Sequence, residues 1–117
     1  MLSFLLGFAF ADEIADEFQK AKDAIKSEQY SEMSKSLKKV KKLAAKSERL
    51  LTQEEVSDIW FLEGLSHLKR KDSTTAIQFF RLSLIVFPKR SFTNEYVNND
   101  EDEEFFLSIQ SEIEYRK

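Results

Sequence analysis

His67 is the only histidine in the chain, so it is the one side chain whose ordinary pKa suits proton transfer near neutral pH. No motif places a serine or an aspartate to partner His67 in nucleophilic catalysis. The absence of cysteine removes thiol nucleophiles, disulfides and thiolate metal sites. Neither a glycine-rich phosphate loop nor a histidine–glutamate zinc motif occurs. We therefore interpret His67 as a packing residue and expect no enzyme activity, no metal and no cofactor.

The densest group of oxygen ligands is the run of five carboxylates at residues 100–104. A calcium loop needs spaced oxygen ligands and a glycine at its sharp turn, and this run has neither. Negative charge instead stabilises the first turn of a helix, where it faces the positive end of the helix dipole. We interpret the run as the start of a helix.

Charge is sorted along the chain, although the net charge is only -3. Residues 34–49 hold seven basic and one acidic residue, and residues 95–115 hold eight acidic and no basic ones. One helical stripe carries Lys35, Lys38, Lys42, Lys46 and Arg49. Such stripes are usually solvated faces, and the functional alternatives are an acidic protein segment or peripheral contact with a phospholipid surface. Nucleic acid is not expected, because no aromatic residue interrupts the lysines for base stacking.

The chain has only two glycines and one proline, which favours helix throughout, and 117 residues suit one domain. Apolar residues at steps of three and four predict five helices. The first has Ile14, Phe18, Ala21 and Ile25 on one face, and the second has Met33, Leu37, Val40, Ala44 and Leu51. We expect the first helix from about residue 12, a turn at residues 27–30, and Ser31 as the next N-cap. The later helices begin at a capping box, Thr52 with Glu55, at Asp72 or Ser73, and at residues 98–100. The fourth helix is apolar nearly all round, which predicts burial on two sides.

A spaced set of residues surrounds Gly64: Trp60, His67, Ala76, Phe80, Ser83 and Pro88. Their spacing resembles the tetratricopeptide repeat, whose signature places tryptophan, glycine, alanine, phenylalanine and proline at these offsets. The resemblance implies that Gly64 lies where two antiparallel helices approach most closely and that Phe80 fills the space beside it. Pro88 ends the second helix.

A fainter copy of the pattern lies upstream, with Ala21 in the position of Gly64 and Leu37 in that of Phe80. The repeats then cover residues 14–47 and 57–90. The resemblance implies an all-α fold of antiparallel helix–turn–helix repeats, a fragment of an α-solenoid. It forms a single domain at residues 12–117, closed by a capping helix at about 100–116.

Tetratricopeptide proteins hold partners in a groove lined by the first helix of each repeat. Carried over to this sequence, the groove positions are Phe18, Lys22, Ile25, Lys26, Phe61, Leu65, Leu68 and Lys69. The implied function is non-enzymatic binding of a protein partner, as a helix or peptide with acidic flanks, in an apolar groove with a basic edge. The alternatives are self-association as a homo-oligomer and transport of a lipid or small apolar ligand.

The N-terminus has an apolar stretch at residues 2–10 that ends in the small-x-small pattern of a signal peptidase site. Residues 1–11 are therefore either a cleaved signal peptide or an apolar helical extension; the stretch is too short to span a membrane. Cleavage would make the protein exported, in the periplasm, with bacterial envelope assembly as a natural setting. Retention would favour the cytoplasm.

Overall fold

A computed structural model describes residues 2–47, 50–92 and 100–115, with side chains from residue 13 to 114 in those ranges. Five helices account for the regular structure of this part of the chain: α1 Leu2–Lys26, α2 Tyr30–Lys46, α3 Gln53–Lys69, α4 Ser73–Val86 and α5 Asp100–Tyr115. No strand occurs in the described ranges. The predicted all-α fold is therefore confirmed, with adjacent helices packed in pairs as in helical repeats.

The helices group into two compact units, Met1–Leu51 (unit 1) and Thr52–Lys117 (unit 2). The sequence suggested one domain over residues 12–117. Unit 1 contains the first predicted repeat, and unit 2 contains the second repeat with the capping helix.

Unit 1 is the hairpin of α1 and α2, which pack against each other. The stripe predicted for α1 is buried, and Met33, Leu37 and Val40 of α2 are at most 1% exposed. Three details of the prediction are wrong. Helix α1 begins at Leu2 rather than near residue 12, because the apolar stretch continues the helix. Helix α2 begins at Tyr30 with Gln29 as its N-cap, so Ser31 lies inside the first turn, and Leu51 lies beyond the helix end.

Unit 2 begins with the capping box that the sequence predicted. The Glu55 backbone N–H donates to the Thr52 hydroxyl at 3.1 Å, and the Thr52 N–H donates to the Glu55 carboxylate at 2.9 Å. Asp72 is the N-cap of α4 and accepts from the Thr75 N–H at 3.3 Å. Helix α5 packs on α4 and opens with the acidic run, as predicted. Residues 98 and 99 of its predicted cap lie outside the described residues.

The two hairpins repeat each other at a spacing of 43 residues. The Gln29 N–H donates to the Ala24 carbonyl at 2.8 Å, and the Asp72 N–H donates to the His67 carbonyl, also at 2.8 Å. Both turns have three residues between their helices. The middle residue of each, Glu28 and Lys71, has a left-handed backbone with φ of 60° and 64°. The two turns therefore match at the same 43-residue offset that aligns Ala21 with Gly64.

Gly64 is where α3 approaches α4, as predicted. A Cβ atom at Gly64 would lie 2.7 Å from two ring carbons of Phe80, which is closer than such contacts allow. The Phe80 ring cannot easily move, because it packs edge-on to Phe106 at 5.4 Å and tilted against Phe61 at 5.7 Å between ring centroids. Glycine at this position is what lets the aromatic core of unit 2 close.

A buried polar network, absent from the predictions, links α3 to α4 and to the segment after it. The Ser57 hydroxyl lies 2.8 Å from the Ser83 hydroxyl, and each hydroxyl also lies 2.9 Å from the other residue's carbonyl oxygen. The Arg90 guanidinium donates to the Ser57 hydroxyl at 2.6 Å and pairs with Asp58. These bonds satisfy buried polar groups that would otherwise be costly.

Candidate functional site

Four of the five apolar positions of the predicted groove are not on the surface. Phe61 and Leu65 are 0% exposed, Ile25 is 1% exposed and Phe18 is 8% exposed. Phe18 and Ile25 belong to the same stripe of α1 as Ile14 and Ala21, so they are core residues of unit 1. A groove for a partner cannot be lined by these four side chains in this structure.

Phe61 is buried because unit 2 encloses it from several sides. Its ring lies 5.4 Å from that of Phe106 in α5 and 5.6 Å from that of Phe92, measured between centroids. The Arg90 guanidinium lies 5.0 Å from the Phe61 centroid, over the ring face. Helix α5 and the segment after α4 therefore cover Phe61.

The other four predicted groove positions retain some exposure. Lys26 is exposed, and Lys22, Leu68 and Lys69 are half-buried. The Lys69 ammonium lies 2.6 Å from the Asp102 carboxylate, and both side chains are mostly buried, at 21% and 11% exposed. This ion pair ties the end of α3 to the start of α5, so Lys69 has a structural role here.

His67 is half-buried, as its interpretation as a packing residue predicts. Phe79 of α4 stacks on the His67 ring at 5.3 Å and on the Trp60 ring at 5.6 Å. The His67 Nδ1 lies 3.3 Å from the Asp72 carboxylate. The Thr75 hydroxyl, then the Thr75 backbone N–H and to a lesser degree His67, hold the pKa of Asp72 below its ordinary value of 3.8. This arrangement caps α4 and closes the turn.

The basic stripe lies on the outer face of α2. Lys35, Lys38, Lys42 and Lys46 are exposed, and Arg49 lies outside the described residues. Lys39 is exposed on the same side, so we define the basic face of α2 as these five described lysines: Lys35, Lys38, Lys39, Lys42 and Lys46. They lie opposite the buried stripe of Met33, Leu37, Val40 and Ala44.

Unit 2 has a groove between α4 and α5 that the sequence reasoning did not identify. Leu84, Ile85, Pro88, Gln110, Ile113 and Glu114 line its volume of about 210 Å³. Leu84 forms its buried floor at 2% exposed, whereas Ile85 is 66% exposed. The feature of the sequence that pointed to this groove was that α4 is apolar nearly all round. This pattern predicted that α4 is buried on two sides, but Leu82 and Ile85 are exposed.

Among the residues that the structure describes, no three potential metal ligands cluster, and no helix is long and apolar enough to cross a membrane. No protein-family model matches the chain, and comparison with curated proteins and with solved structures gives no significant match.

Proposed function

We propose that this protein is a small tetratricopeptide-like module without enzyme activity. It binds a helix or peptide of a partner protein in the groove between α4 and α5. The observation that carries the proposal is Ile85, a large aliphatic side chain that is 66% exposed at the edge of an apolar groove. Exposed aliphatic residues beside a concave surface are typical of positions that a partner covers.

The size of the groove favours protein side chains over a carried ligand. Its volume of about 210 Å³ is smaller than the roughly 300–1,000 Å³ of pockets that enclose small molecules. One or two aliphatic side chains of a partner fit such a space. The groove therefore supports protein binding better than transport of a lipid.

The charge around the groove defines the partner further. Glu114 lines the groove, and Glu112 on the same helix pairs with Arg81 at 3.0 Å. The sequence predicted a basic edge, but Lys69 lies at the other end of α5, paired with Asp102. A segment with an apolar anchor and a basic flank fits this groove best.

Site-specific crosslinking tests the proposal. A photoreactive residue at Ile85 should capture the partner in the cells that make the protein. The same residue at Gln78 should capture much less, because Gln78 is exposed on the same side of α4 but two turns before the groove. Equal capture from both positions would exclude the groove as the binding site.

Affinity for the identified partner then gives the quantitative test. Ile85→Ser should weaken binding by about 2 kcal/mol, the scale of an anchor in an interface, while Gln78→Ser leaves it unchanged. The melting temperature should change little, because Ile85 is mostly exposed. Unaltered affinity of the Ile85→Ser variant would refute the proposal.

Self-association is the second candidate, favoured by Leu82 and Leu107, which are 41% and 43% exposed in unit 2. Sedimentation velocity over a range of concentrations separates the two. A dimer that Ile85→Ser dissociates identifies a second copy as the groove's occupant, and a monomer at all concentrations leaves a different protein in that role.

A further inference from the structure

A second surface, in unit 1, is built differently from the groove between α4 and α5. The basic face of α2 presents five lysines to solvent along one side of the helix, with the apolar residues of α2 buried on the other side. The one carboxylate of this helix, Glu32, lies 3.4 Å from the Lys35 ammonium with both groups mostly exposed, so it offsets little of the charge. Helix α2 thus offers a partner positive charge and no apolar anchor.

Helix α1 supplies the apolar component. It has 25 residues and α2 has 17, so the apolar stretch continues the helix about 12 Å past the length that α2 can cover. Residues 2–10, which we name the apolar segment, contain only Ser3 and Gly7 besides apolar residues. Because α1 and α2 form a hairpin, the segment continues from the end of unit 1 where α2 finishes.

A groove close to the apolar segment shows which lysines are near it. Glu13 and Glu17 of α1 line a shallow groove together with Lys39, Lys42 and Lys46 of α2. Glu13 is three residues after the apolar segment, so the Lys42–Lys46 end of the basic face lies next to it. Lys35 is about 16 Å further along α2 than Lys46.

Four acidic residues of α1 lie close to the apolar segment in sequence. Asp12, Glu13, Asp16 and Glu17 follow the apolar segment directly and would be repelled by an anionic surface. Lys42 and Lys46 share the groove of Glu13 and Glu17 and offset their charge. Unit 1 as a whole has ten basic and eight acidic residues, and α2 alone has six lysines and one glutamate, so the positive charge of unit 1 is concentrated on α2.

We propose that unit 1 docks on an anionic phospholipid surface. The apolar segment enters the boundary between headgroups and acyl chains, and Lys42 and Lys46 lie against the headgroups. A single short apolar anchor binds a bilayer only marginally, and a basic patch beside it makes the attachment stable. Neither an acidic protein nor RNA accounts for the apolar segment beside the lysines, so the lipid surface fits both features together.

Sedimentation of the full chain with vesicles tests the proposal. Binding should be tighter to vesicles of phosphatidylcholine and phosphatidylglycerol in equal parts than to pure phosphatidylcholine, and added salt should weaken it. Each lysine close to such a surface contributes about fivefold in affinity. Lys42→Gln with Lys46→Gln should therefore lower the affinity about thirtyfold.

The matched control removes the same charge far from the apolar segment. Lys35→Gln with Lys38→Gln should have a much smaller effect, because these residues lie about 16 Å and about 12 Å along α2 from Lys46, beyond a screening length of about 8 Å. Leu5→Gln with Leu6→Gln should lower the affinity for both kinds of vesicle by roughly tenfold or more, because the double substitution removes apolar area. Circular dichroism confirms that each variant folds.

Three results would overturn the proposal. Equal losses in the two lysine pairs would show a diffuse charge effect without an oriented surface. Tighter binding to polyglutamate or to an RNA homopolymer than to anionic vesicles would assign the basic face to an acidic protein or to nucleic acid. Native protein that begins at Asp12 would show that the apolar segment is a removed signal peptide.

Discussion

Gly64 and Phe80 form a pair whose counterpart in unit 1 is Ala21 and Leu37. In unit 2, Gly64 faces the aromatic ring of Phe80. In the repeat alignment, unit 1 has the larger alanine in place of Gly64 and the smaller leucine in place of Phe80. The side chains of Phe80, Ala21 and Leu37 are all buried, at 1% exposed or less. In unit 2, the ring of Phe80 therefore limits the size of the residue at position 64.

Gly64→Ala should destabilise unit 2 by about 1 kcal/mol net. Overpacking against Phe80 costs about 1–3 kcal/mol, and the better helix propensity of alanine returns about 1 kcal/mol. In a Phe80→Leu background, which copies the pair of unit 1, the added methyl group should cost nothing. Urea unfolding of the four proteins measures the coupling, and strictly additive effects would show that Phe80 does not restrict position 64.

Asp72 predicts a pH dependence of stability. Its folded-state pKa is lowered, first by the hydrogen bond with the Thr75 side chain, so the carboxylate stabilises the fold fully above its unfolded value of 3.8. This stabilisation is lost as the pH falls through the lower folded-state value. Melting temperatures of the wild type and Asp72→Asn should therefore differ at neutral pH and converge below 3.8. A constant difference across that range would mean that the charge of Asp72 does not stabilise the helix.

At the scale of elements, local signals in the sequence are what made the helices predictable. The capping box at Thr52, the N-cap at Asp72 and the contact of Gly64 each depend on neighbours within one turn or one hairpin. Ser31 failed as an N-cap because the turn closes after the left-handed residue Glu28, which places the N-cap two positions earlier, at Gln29.

The binding positions were not predictable in the same way. Their assignment assumed an open groove, whereas α5 and Phe92 return over Phe61 from more than 30 positions along the chain. The contact of Arg90 with Ser57 spans a comparable separation. No local pattern encodes such contacts, so they appear only once the helices are packed.

The two hairpin turns give a prediction at this scale. A residue with a side chain in the left-handed region is strained, and glycine is not. Lys71→Gly should raise the free energy of unfolding by up to about 1 kcal/mol, and Glu28→Gly should do the same in unit 1. Thermal melts measure both.

Arg70→Gly is the matched control in the neighbouring position. Arg70 has an ordinary negative φ of −88° and donates to the Ser66 hydroxyl at 2.9 Å, so glycine should destabilise there. Stabilisation by glycine at Arg70 as well would show that backbone strain at Lys71 is not the cause.

At the scale of the whole molecule, the division after Leu51 predicts that unit 2 folds by itself. Residues 52–117 contain the aromatic cluster around Phe61 and the network of Ser57, Ser83 and Arg90. The isolated fragment should be helical and melt in a single cooperative transition. Phe80→Ala in the fragment should abolish that transition, because it leaves a cavity costing about 3–5 kcal/mol. A fragment that melts without cooperativity would show that unit 2 depends on residues before Thr52.

The closed hairpin of unit 1 has a consequence for synthesis of the protein on the ribosome. The contacts between α1 and α2 join residues that are close in sequence, and helical structures of this kind fold within microseconds to milliseconds. Translation adds only about 5–20 residues per second, so several seconds pass before unit 2 is complete. Unit 1 can therefore fold cotranslationally, and its basic helix is formed before the acidic start of α5 leaves the ribosome.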